Sequence, residues 1–219
     1  MPTAAPPFPE MTVKELASRV GAVPYSRVQP HPPPGQATEE DLQRVRRESG
    51  ALCELLDGVL VEKAVSDESS VLAIQIAALL QFHVKPRGLG WVLGPDGFVW
   101  LFGRHLQAPD VSFARRNQRP GGRTLKKGYA HVPPALAVEV FSPGNTREEI
   151  EQKRNDFLAA GTELFWVVYP DRREVEVSTG PQAHRILRDT DTLDGGSVLP
   201  DFSVKLAELF DIDLPRASE

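Results

Sequence analysis

The chain has 219 residues, of which 41% are hydrophobic and 25% are charged. This composition is typical of a folded globular domain and excludes a collagen-like, coiled-coil or wholly disordered chain. The net charge of −5 gives no overall attraction for a polyanion, and the single cysteine, Cys53, excludes an internal disulfide and a cysteine-based zinc site.

The first part of the chain differs in composition from the rest. Nine of the 20 prolines fall within residues 1–34, and proline cannot take part in regular backbone hydrogen bonding. We therefore expect a loosely docked arm over 1–35, with one short helix over 11–20 capped by Thr12, then a domain over 36–214 and a tail over 215–219. The sequence has neither a membrane-length apolar run nor a signal-peptide pattern, which predicts a cytoplasmic protein without a membrane partner.

The first half of the predicted domain mixes helices and strands. A helix starts after Thr38 and runs to about Ser49, and Asp57-Gly58 divides two apolar runs into a predicted β-hairpin. A 3.6-residue apolar rhythm over 69–84 indicates a helix that faces the core. Three further strands are expected, the first two joined across Pro95-Asp96-Gly97: 90–94, 98–102 and 111–114.

The second half contains a strand-helix-strand pattern. An apolar strand over 135–141 is followed by a helix from Thr146 to Ala160, and Gly161 ends that helix before a strand over 163–169. Such a unit places its two strands parallel. A strand over 174–178, a looped stretch and a closing helix over 203–210 complete an α/β (α+β) domain with a central mixed sheet flanked by helices.

Several common catalytic classes lack their characteristic signals in this chain. The sequence has no phosphate-binding P-loop, no dinucleotide glycine fingerprint, no His-Glu-x-x-His and no Gly-x-Ser-x-Gly. The five histidines show no metal-ligand spacing, and we assign them no role.

Two carboxylates are candidates for chemistry. Glu139 lies within a strand that is apolar on both faces, where an unpaired carboxylate would cost several kcal/mol. It therefore calls for a cation or a metal as neighbour, although a solvent-facing glutamate or a structural ion pair explains it about as well. Asp110 lies directly before a neighbouring predicted strand. Only this position distinguishes it from the aspartates of three other Pro-Asp pairs.

Lys153 is the third candidate. It shares a helix face with Ile150 and Phe157, so its amine should lean toward the sheet, near the end of the strand that carries Glu139. The alternative is a solvated lysine at the helix edge. Carboxylates around a hard divalent cation, with an ammonium nearby, suit phosphodiester hydrolysis.

A basic segment lies between the two carboxylates in sequence and contains no acidic residue. Its charges favour contact with phosphates, whereas the alternative is a solvated loop that keeps the protein soluble. The candidate nucleic-acid-binding residues are Arg115, Arg116, Arg119, Arg123, Lys126 and Lys127.

The order and spacing of several segments resemble the Uma2 family, a bacterial group described as "putative restriction endonucleases" with the PD-(D/E)xK nuclease fold. These segments are ELLDGVLVE over 54–62, PDVSF over 109–113, VEVFSP over 138–143, Lys153 followed by GTELFWVV over 161–168, and LPDF over 199–202.

The resemblance implies a restriction-endonuclease-like fold, with Asp110 and Glu139 as metal ligands and the carbonyl of Val140 as a third ligand. Lys153 would replace the lysine of the usual motif, because Phe141 occupies that place. Such nucleases take a further acid from an early element. Here that acid is Glu62, Glu54 or Glu68, of which we prefer Glu62.

The sequence thus predicts a Mg²⁺- or Mn²⁺-dependent endonuclease that hydrolyses DNA in preference to RNA. A lone domain of this type would form a homodimer to cut both strands, although no interface signature demonstrates one. The alternative is a catalytically silent nuclease fold that binds nucleic acid or serves as a scaffold.

Overall fold

The computed structural model describes residues 11–180 and 182–212. Their helices are α1 (Val13–Val20), α2 (Glu39–Ser49), α3 (Asp67–Val84), α4 (Arg147–Ala160) and α5 (Leu206–Leu209). None of these helices combines the length and hydropathy that a bilayer span requires.

The central sheet has six strands in the order β10-β9-β8-β7-β6-β3. Only β7 and β8 are parallel, and α4 connects them, which confirms the predicted strand-helix-strand unit and the mixed sheet. Its strands are β3 (Gly90–Leu93), β6 (Val111–Arg115), β7 (Leu136–Val140), β8 (Leu164–Tyr169), β9 (Glu174–Ser178) and β10 (His184–Leu187).

A second, four-stranded sheet has the order β2-β1-β5-β4 and is antiparallel throughout. It contains the predicted hairpin of β1 (Cys53–Leu56) and β2 (Val59–Glu62), together with β4 (Val99–Leu101) and β5 (His105–Gln107). Asp57 and Gly58 both adopt positive φ at the hairpin turn, a conformation that Asp-Gly tolerates well. The turn Pro95-Asp96-Gly97 joins β3 to β4, but these strands lie in different sheets.

The predicted ending of the domain is partly wrong. The expected loop and the start of the expected helix over 203–210 form an antiparallel pair, β11 (Thr192–Gly195) and β12 (Leu199–Lys205), and α5 covers only four residues. Phe202 and Val204 are buried while Ser203 and Lys205 are exposed, so the apolar period there is two and favours a strand.

The central sheet packs against different elements on its two faces. Along β7, Leu136, Val138 and Val140 join a core with α3, β12 and α5. The alternate residue Ala137 joins a core with α4 and β4. Because strand side chains alternate between faces, Glu139 lies on the same face as Ala137, toward α4.

The described part of the N-terminal arm packs onto the hairpin. As predicted, α1 begins with Thr12 in a capping box with Glu15. Val20 and Val23 are buried in one cluster with residues of β1 and β2. Arg27 donates from Nε to the Glu62 carbonyl oxygen (2.6 Å) and from Nη1 to the Gly144 carbonyl oxygen (3.0 Å). The arm thus contacts both the hairpin and the loop before α4.

Candidate active site

Glu139 lies in the middle of the central sheet. Its strand β7 is buried at every position and is paired on both sides, opposite Val167 of β8 and next to the start of β6. The residue is 4% exposed, and Oε1 lies 2.6 Å from Nζ of Lys153. The strand pattern therefore places the carboxylate in the interior beside a cation, and the solvent-facing glutamate that the sequence left open is not found.

Helix α4 places Lys153 against this carboxylate. The helix starts at a capping box between Thr146 and Glu149, and its buried face consists of Ile150, Lys153 and Phe157. This confirms the predicted helix face. Nζ of Lys153 also donates to Oε1 of Glu54 at 2.7 Å, so the amine lies within the protein rather than in bulk solvent.

Asp110 approaches the cluster from the residue before β6. Its Oδ2 accepts a hydrogen bond from the backbone N–H of Val140 at 2.9 Å, which fixes it beside the end of β7. Its Oδ1 accepts from Nζ of Lys63 at 2.8 Å. The antiparallel register, with Val111 opposite Val138, is what sets Asp110 next to Glu139.

The four-stranded sheet contributes the rest of the cluster. Glu54 of β1 accepts a hydrogen bond from the backbone N–H of Ala108 at 2.9 Å, just beyond β5. Lys63, directly after β2, donates to the carbonyl oxygen of Ala108 at 2.7 Å. Lys153 donates to the same carbonyl oxygen at 3.2 Å. Three carboxylates and two ammonium groups thus meet where the two sheets and α4 come together.

Burial and mutual charge shift the ionisation of this cluster. The pKa of Glu139 is raised to about 7, and burial is the largest cause; Asp110 and Glu54 also act to raise this pKa, whereas Lys153 and Lys63 act to lower it. Burial alone would lower the pKa of Lys153, but Glu139, Glu54 and Asp110 outweigh it and hold the pKa above the ordinary value. Lys153 is therefore a charged donor near neutral pH.

The pKa of Asp110 moves in the opposite direction to that of Glu139. Burial alone would raise it, but Lys63, Lys153 and the Val140 N–H together hold it below its usual range. Asp110 is therefore ionised over the whole physiological pH range.

The chemistry of the cluster fits a hard divalent cation. Three carboxylates against two ammonium groups leave one negative charge in a buried place when all are ionised. Despite its contact with Lys153, Oε1 of Glu139 receives no aligned hydrogen bond from any described residue. Oxygen-only donors are those that Mg²⁺ and Mn²⁺ prefer. The three carboxylates contact lysines in this structure. Within residues 11–180 and 182–212, no three or more His, Cys, Asp or Glu side chains are already arranged to hold a metal ion.

The structure places only one of the three candidate early acids in the ionic cluster. Glu54 lies in the cluster, whereas the preferred Glu62 does not: its side chain is exposed and accepts from Gln29. Glu68 is also exposed, in the first turn of α3. Since neighbouring residues of a strand face opposite sides, Glu62 points away when Lys63 points in. The preference for Glu62 is corrected on this geometry.

Lys63 has no role among the candidates found in the sequence, although it is a central member of the cluster. A signal was present in the sequence, because Glu62 and Lys63 directly follow the apolar run Val59-Leu60-Val61. The alternation of that strand shows that Glu62 and Lys63 face opposite sides, but only the packing of the two sheets decides which side is interior.

The basic segment starts at the opposite end of β6 from Asp110. Over a five-residue strand this separation is about 17 Å. Arg115 is paired with Glu163, and Arg119 lines a separate cavity with Phe98 and Tyr129. The other four cations are exposed: Arg116, Arg123, Lys126 and Lys127. Arg115, where the segment begins, therefore lies away from the carboxylates, although the segment lies between them in sequence.

Two cavities adjoin the ionic cluster from different sides. One, of about 360 Å³, is lined by Glu54 and Lys153 together with residues of α1. The other, of about 310 Å³, is lined by Lys63 and Asp110 together with the first half of α3. Four of the five ionisable groups of the cluster thus border these cavities, whereas Glu139 lines neither of the two.

A central mixed sheet flanked by helices, with one parallel strand pair, places the chain in the nuclease-like class of α+β folds. The family model Uma2, described as "Putative restriction endonuclease", matches residues 39–208. The chain belongs to the Uma2 family.

A comparison with solved structures supports the fold. The chain is similar to a crystal structure from Anabaena variabilis ATCC 29413 that is described as a putative nuclease belonging to DUF820. The two share 19% sequence identity with a TM-score of 0.66, and the alignment covers 75% of this chain and 93% of the other. A comparison with curated proteins found no match.

Proposed function

We propose that the ionic cluster hydrolyses phosphodiester bonds of DNA with the help of Mg²⁺ or Mn²⁺. The observation that carries the proposal is the buried meeting of Glu54, Asp110 and Glu139 with two lysines, next to two cavities. Membership of a family described as "Putative restriction endonuclease" supports the reaction class.

Asp110 and Glu139 would hold the ion, with the carbonyl oxygen of Val140 as a third ligand and Glu54 as the additional acid. A bound divalent ion supplies charge neutralisation at the phosphate and lowers the pKa of water. Lys153, charged at neutral pH, would orient the attacking water by donating a hydrogen bond. Lys63, bound to Asp110, would hold that carboxylate in place.

The alternative function is a silent nuclease fold that binds nucleic acid or acts as a scaffold. The observation in its favour is that Asp110 pairs with Lys63 and that Glu54 and Glu139 pair with Lys153, so the cluster is largely neutralised without an added cation. A silent nuclease fold of this kind would bind DNA without cleaving it.

A cleavage assay separates the two readings. Plasmid, linear and single-stranded DNA, and RNA, are incubated with wild type and with Asp110→Ala in Mg²⁺ or Mn²⁺. The matched control is Asp171→Ala, since Asp171 also follows a proline but is exposed. We expect cleavage by wild type and Asp171→Ala, loss in Asp110→Ala, and a preference for DNA. Equal, negligible cleavage by wild type and Asp110→Ala would reject the enzyme.

A further inference from the structure

Helix α3 has an apolar stripe on its outer side. Val71, Ile74 and Phe82 are 46%, 68% and 79% exposed, and Ala78 between them is also exposed. At 100° per residue, all four lie within about 60° of one line along the helix. The opposite side of α3 is buried in the core of the central sheet. A helix that is apolar on both sides normally has a partner on each.

The ends of this stripe carry opposite charges. Asp67, in the first helical turn, and Lys85, directly after the last, are both exposed. They are 18 residues apart, which is five helical turns, so they lie on the same line as the stripe. From its N-terminal to its C-terminal end, the outer side of α3 is therefore first acidic, then apolar and then basic, over a length of about 27 Å.

Such a surface is complementary to itself in the antiparallel direction. A two-fold axis crossing α3 near residue 76 would place Asp67 of one copy opposite Lys85 of the other, and Ile74 opposite Ala78. The small Ala78 side chain would leave room for Ile74, as in the interlocking contact of two packed helices. Because the axis is two-fold, each of these contacts occurs twice in the dimer, as in any two-fold interface.

We infer that this protein forms a two-fold homodimer through antiparallel pairing of α3, held by the stripe of Val71, Ile74, Ala78 and Phe82 and by two Asp67–Lys85 ion pairs between the copies. Ile74 also lines the cavity that contains Lys63 and Asp110. The second copy therefore borders that cavity in each subunit.

Sedimentation velocity of the full chain tests this interface independently of any cleavage. Over about 1 to 100 μM protein, we expect wild type to sediment at twice its 24.1 kDa mass. Phe82→Glu and Ile74→Glu should each sediment as folded monomers, since both side chains are exposed within the subunit. Circular dichroism verifies that these variants are folded. A monomeric wild type at every concentration, or folded variants that remain dimeric, would overturn the inference.

A charge exchange tests the direction of the pairing. Asp67→Lys and Lys85→Asp should each raise the dimer dissociation constant about tenfold, because each opposes like charges at two places. The double variant should recover the wild-type constant. Glu68→Lys is the matched control, because it makes the same charge change in the same helical turn but off the stripe, and it should leave the constant unchanged. Failure of the double variant to recover would contradict antiparallel α3 pairing.

Discussion

Lys153 and Glu139 depend on each other because both are buried. An unpaired charge inside a protein costs several kcal/mol, and the 2.6 Å contact between Nζ and Oε1 offsets part of that cost for both groups. Glu54 adds a second carboxylate to the same amine at 2.7 Å. Removal of one member therefore leaves the others uncompensated, which gives two predictions at the scale of single residues.

Replacing Lys153 with methionine should lower the free energy of unfolding by about 3–5 kcal/mol. The physical reason is that Glu54 and Glu139 would remain buried without their shared cation. Urea denaturation at pH 7.5 measures the change. Lys205→Met is the control, since Lys205 is exposed on β12, and it should change the free energy by less than about 0.5 kcal/mol. Equal stability of the two variants would show that the buried pairs do not matter for folding.

The raised pKa of Glu139 makes the stability of the metal-free protein depend on pH. The folded value is about 7 and the reference value is 4.5. Between these values the folded state keeps a proton that the unfolded state has released, so stability falls as the pH rises from about 4.5 through about 7. In EDTA, wild type should lose on the order of 2 kcal/mol more than Glu139→Gln between pH 5 and pH 8.

Denaturation midpoints of both proteins across this pH range provide the measurement. Glu62→Gln serves as the control, because Glu62 is exposed and should keep the wild-type pH profile. A Glu139→Gln profile parallel to that of wild type would rule out Glu139 as the titrating group.

Among the secondary-structure elements, α4 has the most direct influence on the candidate site. Its capping box at Thr146, the turn in which Asn145 accepts from the Ser142 N–H, and Gly161 in the left-handed region define where the helix begins and ends. Arg27 of the arm pairs with Glu149 in the first turn of this helix at 2.8 Å. These contacts fix the position of Lys153 relative to β7.

Thr146→Ala should therefore affect both stability and the proposed activity. Loss of the cap costs about 1 kcal/mol, and the first turn of the helix that carries Lys153 becomes less well held. Thr38→Ala removes the same kind of capping box from α2, which contributes no side chain to the cluster. Urea denaturation should show similar losses for the two variants, whereas the cleavage rate should fall only in Thr146→Ala. A similar rate in both would indicate that the cap does not position Lys153.

At the scale of the whole molecule, the site exists only because two sheets meet. Glu54 and Lys63 come from the four-stranded sheet, whereas Asp110 and Glu139 come from the central sheet and the residue next to it. The exposed cations of the basic segment begin at the other end of β6. If they bind DNA, they do so as a surface patch rather than as part of the ionic cluster.

Replacing the four exposed cations Arg116, Arg123, Lys126 and Lys127 with glutamine should weaken DNA binding and reduce its dependence on salt. Each lost phosphate contact lowers the slope of log K against log salt by about 0.9 for duplex DNA. Fluorescence anisotropy at several salt concentrations measures the slope. The control replaces four exposed cations elsewhere with glutamine: Lys14, Arg47, Arg172 and Lys205. An equal slope in both variants would exclude the basic segment as the phosphate-binding surface.

Local sequence patterns were sufficient for most of the elements and for three members of the site. The hairpin, α3, α4 and the parallel pair β7–β8 were predicted because apolar periods, caps and breakers act over a few residues. Glu139 and Lys153 could be found because a short strand-helix-strand connection makes α4 pack over β7. Asp110 could be found because it directly precedes a neighbouring predicted strand. The strands β5, β10 and β11 were missed because each has only three or four residues, whereas the seven-residue β12 was misassigned as a loop followed by a helix.

The inclusion of Lys63 and of Glu54 in place of Glu62 was decided by tertiary structure. Strand alternation puts neighbouring side chains on opposite faces, but which face is interior depends on how the four-stranded sheet packs against the central sheet and α4. The distance of Arg115 from Asp110, by contrast, follows from the length of the single strand β6. Nearness along the chain determines helices, turns and strands, whereas nearness in space between separate sheets depends on pairings that no short stretch of residues encodes.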